Sequence, residues 1–226
     1  QGPVWTKLLA DRDQADPLIA FTFALHEFFH SRDRDAEAAK LRALLAAAAV
    51  ASLYLFYAAP ANAAGKYAAL VIDANTGNVI SAHAADEPRY PASLTKMMTL
   101  YMLFQELEAK RLTMDSEFTV SARAAGQPPS NIGVSQGDKI TVRQAILALV
   151  TKSANDVACA IAENLAPSEW EFAATMTAKA QELGMSKTVF RNASGLPDDD
   201  QVTTARDMAT LGLALLSQDV VAEQQK

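Results

Sequence analysis

Pro91-Ala92-Ser93-Leu94-Thr95-Lys96 runs directly into the apolar segment Met97-Met98-Thr99-Leu100-Tyr101-Met102-Leu103-Phe104. Pro91 favours an extended approach to the segment. Ser93 is a residue type that caps or opens a helix. A helix starting there places Ser93 and Lys96, three apart, on one face. A serine hydroxyl is a poor nucleophile until a neighbour takes its proton, and a partly desolvated lysine is neutral often enough to do so. The helix N-terminus adds a favourable field for the anion formed during acyl transfer. A Ser-x-x-Lys spacing arises by chance roughly once in a chain of this length, so the pair needs a partner before it carries weight.

The chain has 226 residues, half of them apolar and a fifth charged, which is globular composition. A formal net charge of −6 leaves no basic footprint and argues against a nucleic-acid partner. The single cysteine, Cys159, lies in the apolar run Val157-Ala158-Cys159-Ala160-Ile161 and reads as a buried small hydrophobe. Lys40-Leu41-Arg42, the apolar run 43–59 and Pro60-Ala61-Asn62-Ala63 have the form of a basic region, a hydrophobic region and an Ala-x-Ala cleavage site. Residues 40–63 are therefore expected to be a signal peptide cut after Ala63, with the protein exported to the periplasm or the outer face of the cytoplasmic membrane. An uncleaved anchor is the competing reading. Residues 1–39 do not fit a signal peptide, and all seven methionines lie at Met97 or beyond. They are read as an upstream leader, the chain beginning inside a longer frame or at a non-Met codon near Lys40. This leader holds His26-Glu27-Phe28-Phe29-His30, a formal H-E-x-x-H that would be severed from the mature protein and is read as a decoy.

Residues 64–226 form the exported part. Residues 66–73 and 79–83 are strand candidates joined by the turn Asn75-Thr76-Gly77-Asn78. His83 ends the second strand, and nothing in the sequence pairs it with Ser93, so a Ser-His-Asp triad has little support. The helix from Ser93 is expected to reach about Arg111. Residues 117–120 read as a short strand, and 138–141 as the approach to a helix over 142–150 capped by Thr141. After it stands Ser153-Ala154-Asn155-Asp156. On a tight turn between helices, Ser153 and Asn155 present a hydroxyl and an amide to one cleft, the first to relay a proton and the second to hold Lys96 or a substrate. Helix capping is the competing reading of the same residues. Ser168-Glu169-Trp170-Glu171 reads as a capping box for a helix ending at Gly184. Residues 192–200 read as a loop whose Asp198-Asp199-Asp200 is solvated acid rather than a calcium site. Thr204 caps a last helix to about Leu216.

Three stretches in this order, Pro91-Ala92-Ser93-Leu94-Thr95-Lys96-Met97-Met98-Thr99, Ser153-Ala154-Asn155-Asp156-Val157-Ala158 and Phe190-Arg191-Asn192-Ala193-Ser194-Gly195-Leu196-Pro197, resemble the D-alanyl-D-alanine carboxypeptidases, the low-molecular-mass penicillin-binding proteins. The turn Val71-Ile72-Asp73-Ala74-Asn75-Thr76-Gly77 and the late Thr204-Ala205-Arg206-Asp207-Met208 match as well, so the resemblance covers residues 66–216. It implies that Ser93 is the acylated nucleophile, Lys96 its general base, Ser153 a proton-shuttling second serine and Asn155 a substrate-positioning amide. It also implies the α/β (α+β) fold of β-lactamases and transpeptidases: an antiparallel sheet flanked by helices, with a helical subdomain. The expected substrates are peptidoglycan peptides ending in D-Ala-D-Ala, with β-lactams as covalent inhibitors and no metal or organic cofactor. Association with a membrane surface through a further C-terminal segment is compatible with the resemblance. The family's third motif, Lys-Thr-Gly, is expected on a strand after the Asn-Ala-Ser-Gly-Leu-Pro loop and so beyond Lys226. Lys187-Thr188-Val189 precedes that loop and has Val for Gly, so it is not that motif. The sheet is accordingly expected to be incomplete in this chain, and residues 64–226 alone to be nearly inactive and prone to associate. Alternatives are a D,D-endopeptidase, a β-lactamase of the same fold, or a non-catalytic wall-binding module. Ser-Ala-Asn rather than Ser-Asp-Asn, and the lack of an obvious deacylating glutamate, weigh against a class A β-lactamase.

Overall fold

The computed structural model describes residues 67–218 except residue 75. The leader, the export signal and the His26–His30 motif lie outside the described residues. Among the described residues two antiparallel strand pairs and six α-helices follow one another: β1 (Ala69–Ile72), β2 (Val79–His83), α1 (Thr95–Glu108), β3 (Glu117–Thr119), α2 (Ala122–Ala125), β4 (Lys139–Thr141), α3 (Val142–Lys152), α4 (Asn155–Leu165), α5 (Glu169–Glu182) and α6 (Ala205–Leu216). Among the described residues β1 pairs only with β2, and β3 only with β4.

The core is built around α4. Val157, Ala158, Cys159, Ala160, Ile161 and Ala162 are all completely buried, because α1, α2, α3, α5 and β3 pack around this one helix. Over these six residues the helix is apolar on every side and has no solvent face to offer, and its alanines let neighbouring backbones come close. Met98, Leu103 and Phe104 of α1, Phe172 and Met176 of α5, and Leu211 of α6 complete the same apolar cluster.

Helix ends follow the expected cap chemistry at three places. Thr141 and Gln144 form a full capping box at α3, Ser168 Oγ accepts the Glu171 N–H at α5, and Thr204 accepts the Asp207 N–H at α6. Residues 139–141, expected to lead into a helix, instead form β4, with Phe118 opposite Ile140 on the buried side. A three-residue strand is too short for its alternation to be legible. The first long helix also ends earlier than expected, at Glu108.

The β1–β2 hairpin keeps the predicted turn. Asp73 accepts from the Thr76 N–H at 2.8 Å and hydroxyl at 3.0 Å, while Gly77, at φ 72°, donates to the Asp73 carbonyl. β1 lies against α6. Beyond the hairpin, Arg89 and Thr203 exchange backbone hydrogen bonds of 2.8 Å in both directions, fixing the chain just before the Pro91–Lys96 stretch. Arg206 clasps Asp86 through two hydrogen bonds, at 2.6 and 2.9 Å.

Candidate active site

Ser93 lies in a single 3-10 turn, Ala92–Leu94, that feeds α1; it does not cap the helix, and no side chain does. Ala92 is held at φ 46°, a left-handed conformation that a non-glycine residue adopts only when its surroundings impose it. The surroundings are the loop at Gly195. A Cβ placed on Gly195 would stand 1.8 Å from the Ala92 carbonyl oxygen, so only glycine lets the two backbones meet.

Lys96, one turn on, is 4 % exposed. Its Nζ donates to the Ser194 carbonyl at 2.5 Å, to Asn155 Oδ1 at 2.8 Å and to Ser93 Oγ at 3.4 Å. None of these three partners carries a charge. Burial therefore acts on the ammonium unopposed and lowers its pKa from the ordinary 10.5 to about 8. The amine is thus placed 3.4 Å from the serine hydroxyl and releases its proton near pH 8, well below the 10.5 of an ordinary lysine.

Ser153 and Asn155 do not cap α4. The cap position belongs to Ala154, which has no side-chain bond to offer. Ser153 closes α3 in a left-handed conformation (φ 55°, ψ 41°), and its Oγ is buried with no hydrogen-bond partner among the described residues. Asn155 sends Oδ1 to Lys96 and Nδ2 to the Pro128 carbonyl at 2.9 Å. The competing cap reading fails here because neither side chain accepts an N–H of the first turn of α4. Three of the four residues singled out from the sequence, Ser93, Lys96 and Asn155, are joined through the Lys96 amine. The fourth, Ser153, sits two residues before Asn155 at the junction of α3 and α4.

Sequence reasoning missed the Ser194 carbonyl, since a backbone acceptor has no residue type to betray it. The loop that carries it is held from every side. Thr177 Oγ1 accepts the Phe190 N–H; Gln201 Oε1 accepts those of Arg191 and Asn192. Glu169 Oε1 accepts the Ala193 N–H, and the Ala193 carbonyl accepts the Thr99 hydroxyl at 2.7 Å. Asn192 Oδ1 takes the N–H groups of Ser194 and Gly195, a local turn that asparagine favours.

Residues outside this cluster behave structurally. Lys187 donates its Nζ to the Asp86 carbonyl and its N–H to Asp207. Asp198, Asp199 and Asp200 are exposed, and His83 stacks against Tyr67 with ring centroids 5.5 Å apart. Cys159 is buried, and that burial, reinforced by the charges of Glu169 and Glu163, pushes its thiol pKa up to about 12. Among the described residues no group of three or more His, Cys, Asp or Glu is placed to hold a metal ion, and no helix is long and apolar enough to cross a membrane.

A mostly helical body with small antiparallel strand pairs, a Ser-x-x-Lys turn and a Ser-x-Asn junction belongs to the fold of the penicillin-binding proteins. The structure superimposes on D-alanyl-D-alanine carboxypeptidase DacD from Francisella tularensis with a TM-score of 0.66 and 35 % identity, covering 68 % of this chain and 37 % of that one. It superimposes on penicillin-binding protein D2 from Listeria monocytogenes in the cefotaxime-bound form with a TM-score of 0.59 and 30 % identity, covering 66 % and 61 % of the two chains. The model of the peptidase S11 family, D-alanyl-D-alanine carboxypeptidase, matches residues 56–225, and the chain belongs to that family. D-alanyl-D-alanine carboxypeptidase DacF of Bacillus subtilis (strain 168) is 32 % identical over 155 residues, 69 % of this chain and 40 % of its own length. The chain spans less than half the length of the curated carboxypeptidases it matches.

Proposed function

We propose that this chain carries the nucleophile, base and second serine of a D-Ala-D-Ala carboxypeptidase acting on peptidoglycan stem peptides. The observation that carries the reading is the Lys96 amine, buried, with its pKa lowered to about 8 and shared between Ser93 Oγ, Asn155 Oδ1 and the Ser194 carbonyl. Ser93 Oγ attacks the carbonyl of the penultimate D-alanine while its proton passes to Lys96. The Ser93 N–H, in the 3-10 turn that feeds α1, faces the oxyanion with the field of the helix behind it. As the bond to the terminal D-alanine nitrogen breaks, the proton passes to that nitrogen by way of Ser153, whose hydroxyl has no competing partner among the described residues. Water then cleaves the Ser93 ester and restores the hydroxyl. Asn155 holds the lysine and offers its amide to the substrate.

β-Lactams are covalent ligands in this reading, supported by family membership and by the cefotaxime-bound relative. Export to the periplasm or the outer face of the membrane goes with it, supported by the pattern of residues 40–63. The test uses the full-length protein and a fluorescent penicillin. Wild type is expected to label covalently, and Ser93→Ala to lose all labelling; undiminished labelling of Ser93→Ala removes the reading. Release of free D-alanine from a pentapeptide, against cleavage of cross-linked dimers, separates carboxypeptidase from endopeptidase.

A further inference from the structure

We propose that Asp156 is a positioning residue for the Lys96 site, acting through a strap formed by residues 127–134; the inference rests on the function proposed above. Asp156 follows Asn155 and is 1 % exposed. Its Oδ2 accepts the N–H groups of Ile132 at 3.0 Å, Gly133 at 3.0 Å and Val134 at 3.4 Å, and its Oδ1 accepts that of Val157 at 2.9 Å. Successive backbone N–H groups converging on one carboxylate oxygen make an anion-binding hollow, so the strap is moulded around this side chain. An acid that merely favoured the start of α4 would need only to be near the helix end. Asp156 instead reaches three residues more than twenty positions away.

The other end of the strap holds Asn155. Ser130 accepts the Asn155 backbone N–H at 2.7 Å through its carbonyl, and its own hydroxyl donates to the Lys152 carbonyl at 2.7 Å. The Pro128 carbonyl accepts Asn155 Nδ2 at 2.9 Å. This last bond decides the chemistry. An asparagine amide fits its site in two orientations, with oxygen and nitrogen exchanged. A carbonyl can only accept, so Pro128 requires the nitrogen on its side and leaves the oxygen facing Lys96. Reversed, the amide would point two hydrogens at an amine that has to approach as a donor. Asp156 therefore sets the polarity of Asn155, and through it the lysine, without touching either reacting atom.

The test measures acylation of the full-length protein by a fluorescent penicillin. Asp156→Ala is expected to slow it by about 10²-fold, the scale of a misplaced catalytic group. In an Asn155→Ala background the same change is expected to cost less than about threefold, because residues acting through one another do not add. Gly133→Val, on the exposed part of the strap at φ 77° with open space around it, strains the backbone without filling the core. It should slow acylation in the same coupled manner, and it carries the test if Asp156→Ala does not fold. Thr141→Ala, which removes the α3 cap, should lower the melting temperature and leave acylation alone. Wild-type rates in Asp156→Ala or Gly133→Val, or losses that add in full to Asn155→Ala, overturn the inference. A wild type that takes no penicillin fails the proposed function instead. The strap is then judged by NMR: slow exchange of the Asn155 side-chain amide protons, accelerated in Gly133→Val, supports it, and unchanged exchange overturns it.

Discussion

From Val157 to Ala162 no side chain of α4 reaches solvent, whereas on the hairpin Val79 is 50 % and Ile80 68 % exposed. The two regions use apolar residues to opposite ends. Around α4 they surround a helix whose first residues, Asn155 and Asp156, then have one place to be. On β2 every residue is exposed, and the hairpin is held by β1 against α6 and, at its exit, by the Asp86–Arg206 pair and the Arg89–Thr203 bonds. The site inherits its geometry from the packed region: Lys96 and Asn155 stand on α1 and α4, and the Ser194 loop is bonded to Thr99 of α1 and Glu169 of α5. Chemistry at Ser93 should therefore be sensitive to changes deep under α4 and indifferent to changes on the outer hairpin.

Ile161→Ala attacks that contrast most directly. A fully buried isoleucine cut to alanine should cost about 2–5 kcal/mol of stability, read by urea unfolding, with penicillin labelling falling in parallel. Gly195→Ala should lower labelling by about 10²-fold, since a Cβ 1.8 Å from the Ala92 oxygen must displace the turn that holds Ser93. Labelling at the wild-type rate would show that the Gly195 contact does not set the nucleophile.

The pH dependence comes next. Burial disfavours the Lys96 ammonium, so its pKa in the folded protein, about 8, lies below the ordinary 10.5. If Lys96 is the base proposed above, its neutral form is the active one, and acylation should fall by about tenfold per pH unit below 8 and level off above it. Stability has the same sign. Between about pH 8 and 9 the unfolded chain still holds a Lys96 proton that the folded one has released, so stability should rise across that window in wild type and not in Lys96→Met. From about pH 9 upward the buried Cys159 thiol, which keeps its proton in the folded chain, acts in the opposite sense in both. The smallest effect belongs to the hairpin. Ile80→Thr should change stability by less than about 0.5 kcal/mol and leave acylation intact, while reducing self-association in sedimentation. A large loss of labelling there would erase the distinction between the two regions.

The packed region was also the more legible in sequence. Serine and lysine three apart, and serine and asparagine two apart, announced themselves by residue type, and Asn-Thr-Gly announced the hairpin turn. The spacing brought out side chains with chemistry of their own. It was silent on the Ser194 carbonyl and on the Pro128 carbonyl, whose acceptors every residue possesses. Asp156 was hidden for another reason: an acid in the first turn of a helix already has a local explanation, and its long-range partners are backbone N–H groups of a loop. Ser93 was expected at a helix end and lies in a 3-10 turn, because Gly195 presses on the residue before it, a contact across about a hundred positions that no local rule contains.

Cys159 gives the packed region a clock of its own. It is the sole thiol of the chain, wholly enclosed, and its proton is held up to about pH 12. A thiol-reactive dye can reach it only when the helices around it part. At neutral pH the rate of dye uptake therefore counts those openings, with no other sulfhydryl to confuse the signal. The molecule thus reports how often its centre comes undone, in the same solution in which its serine is being assayed.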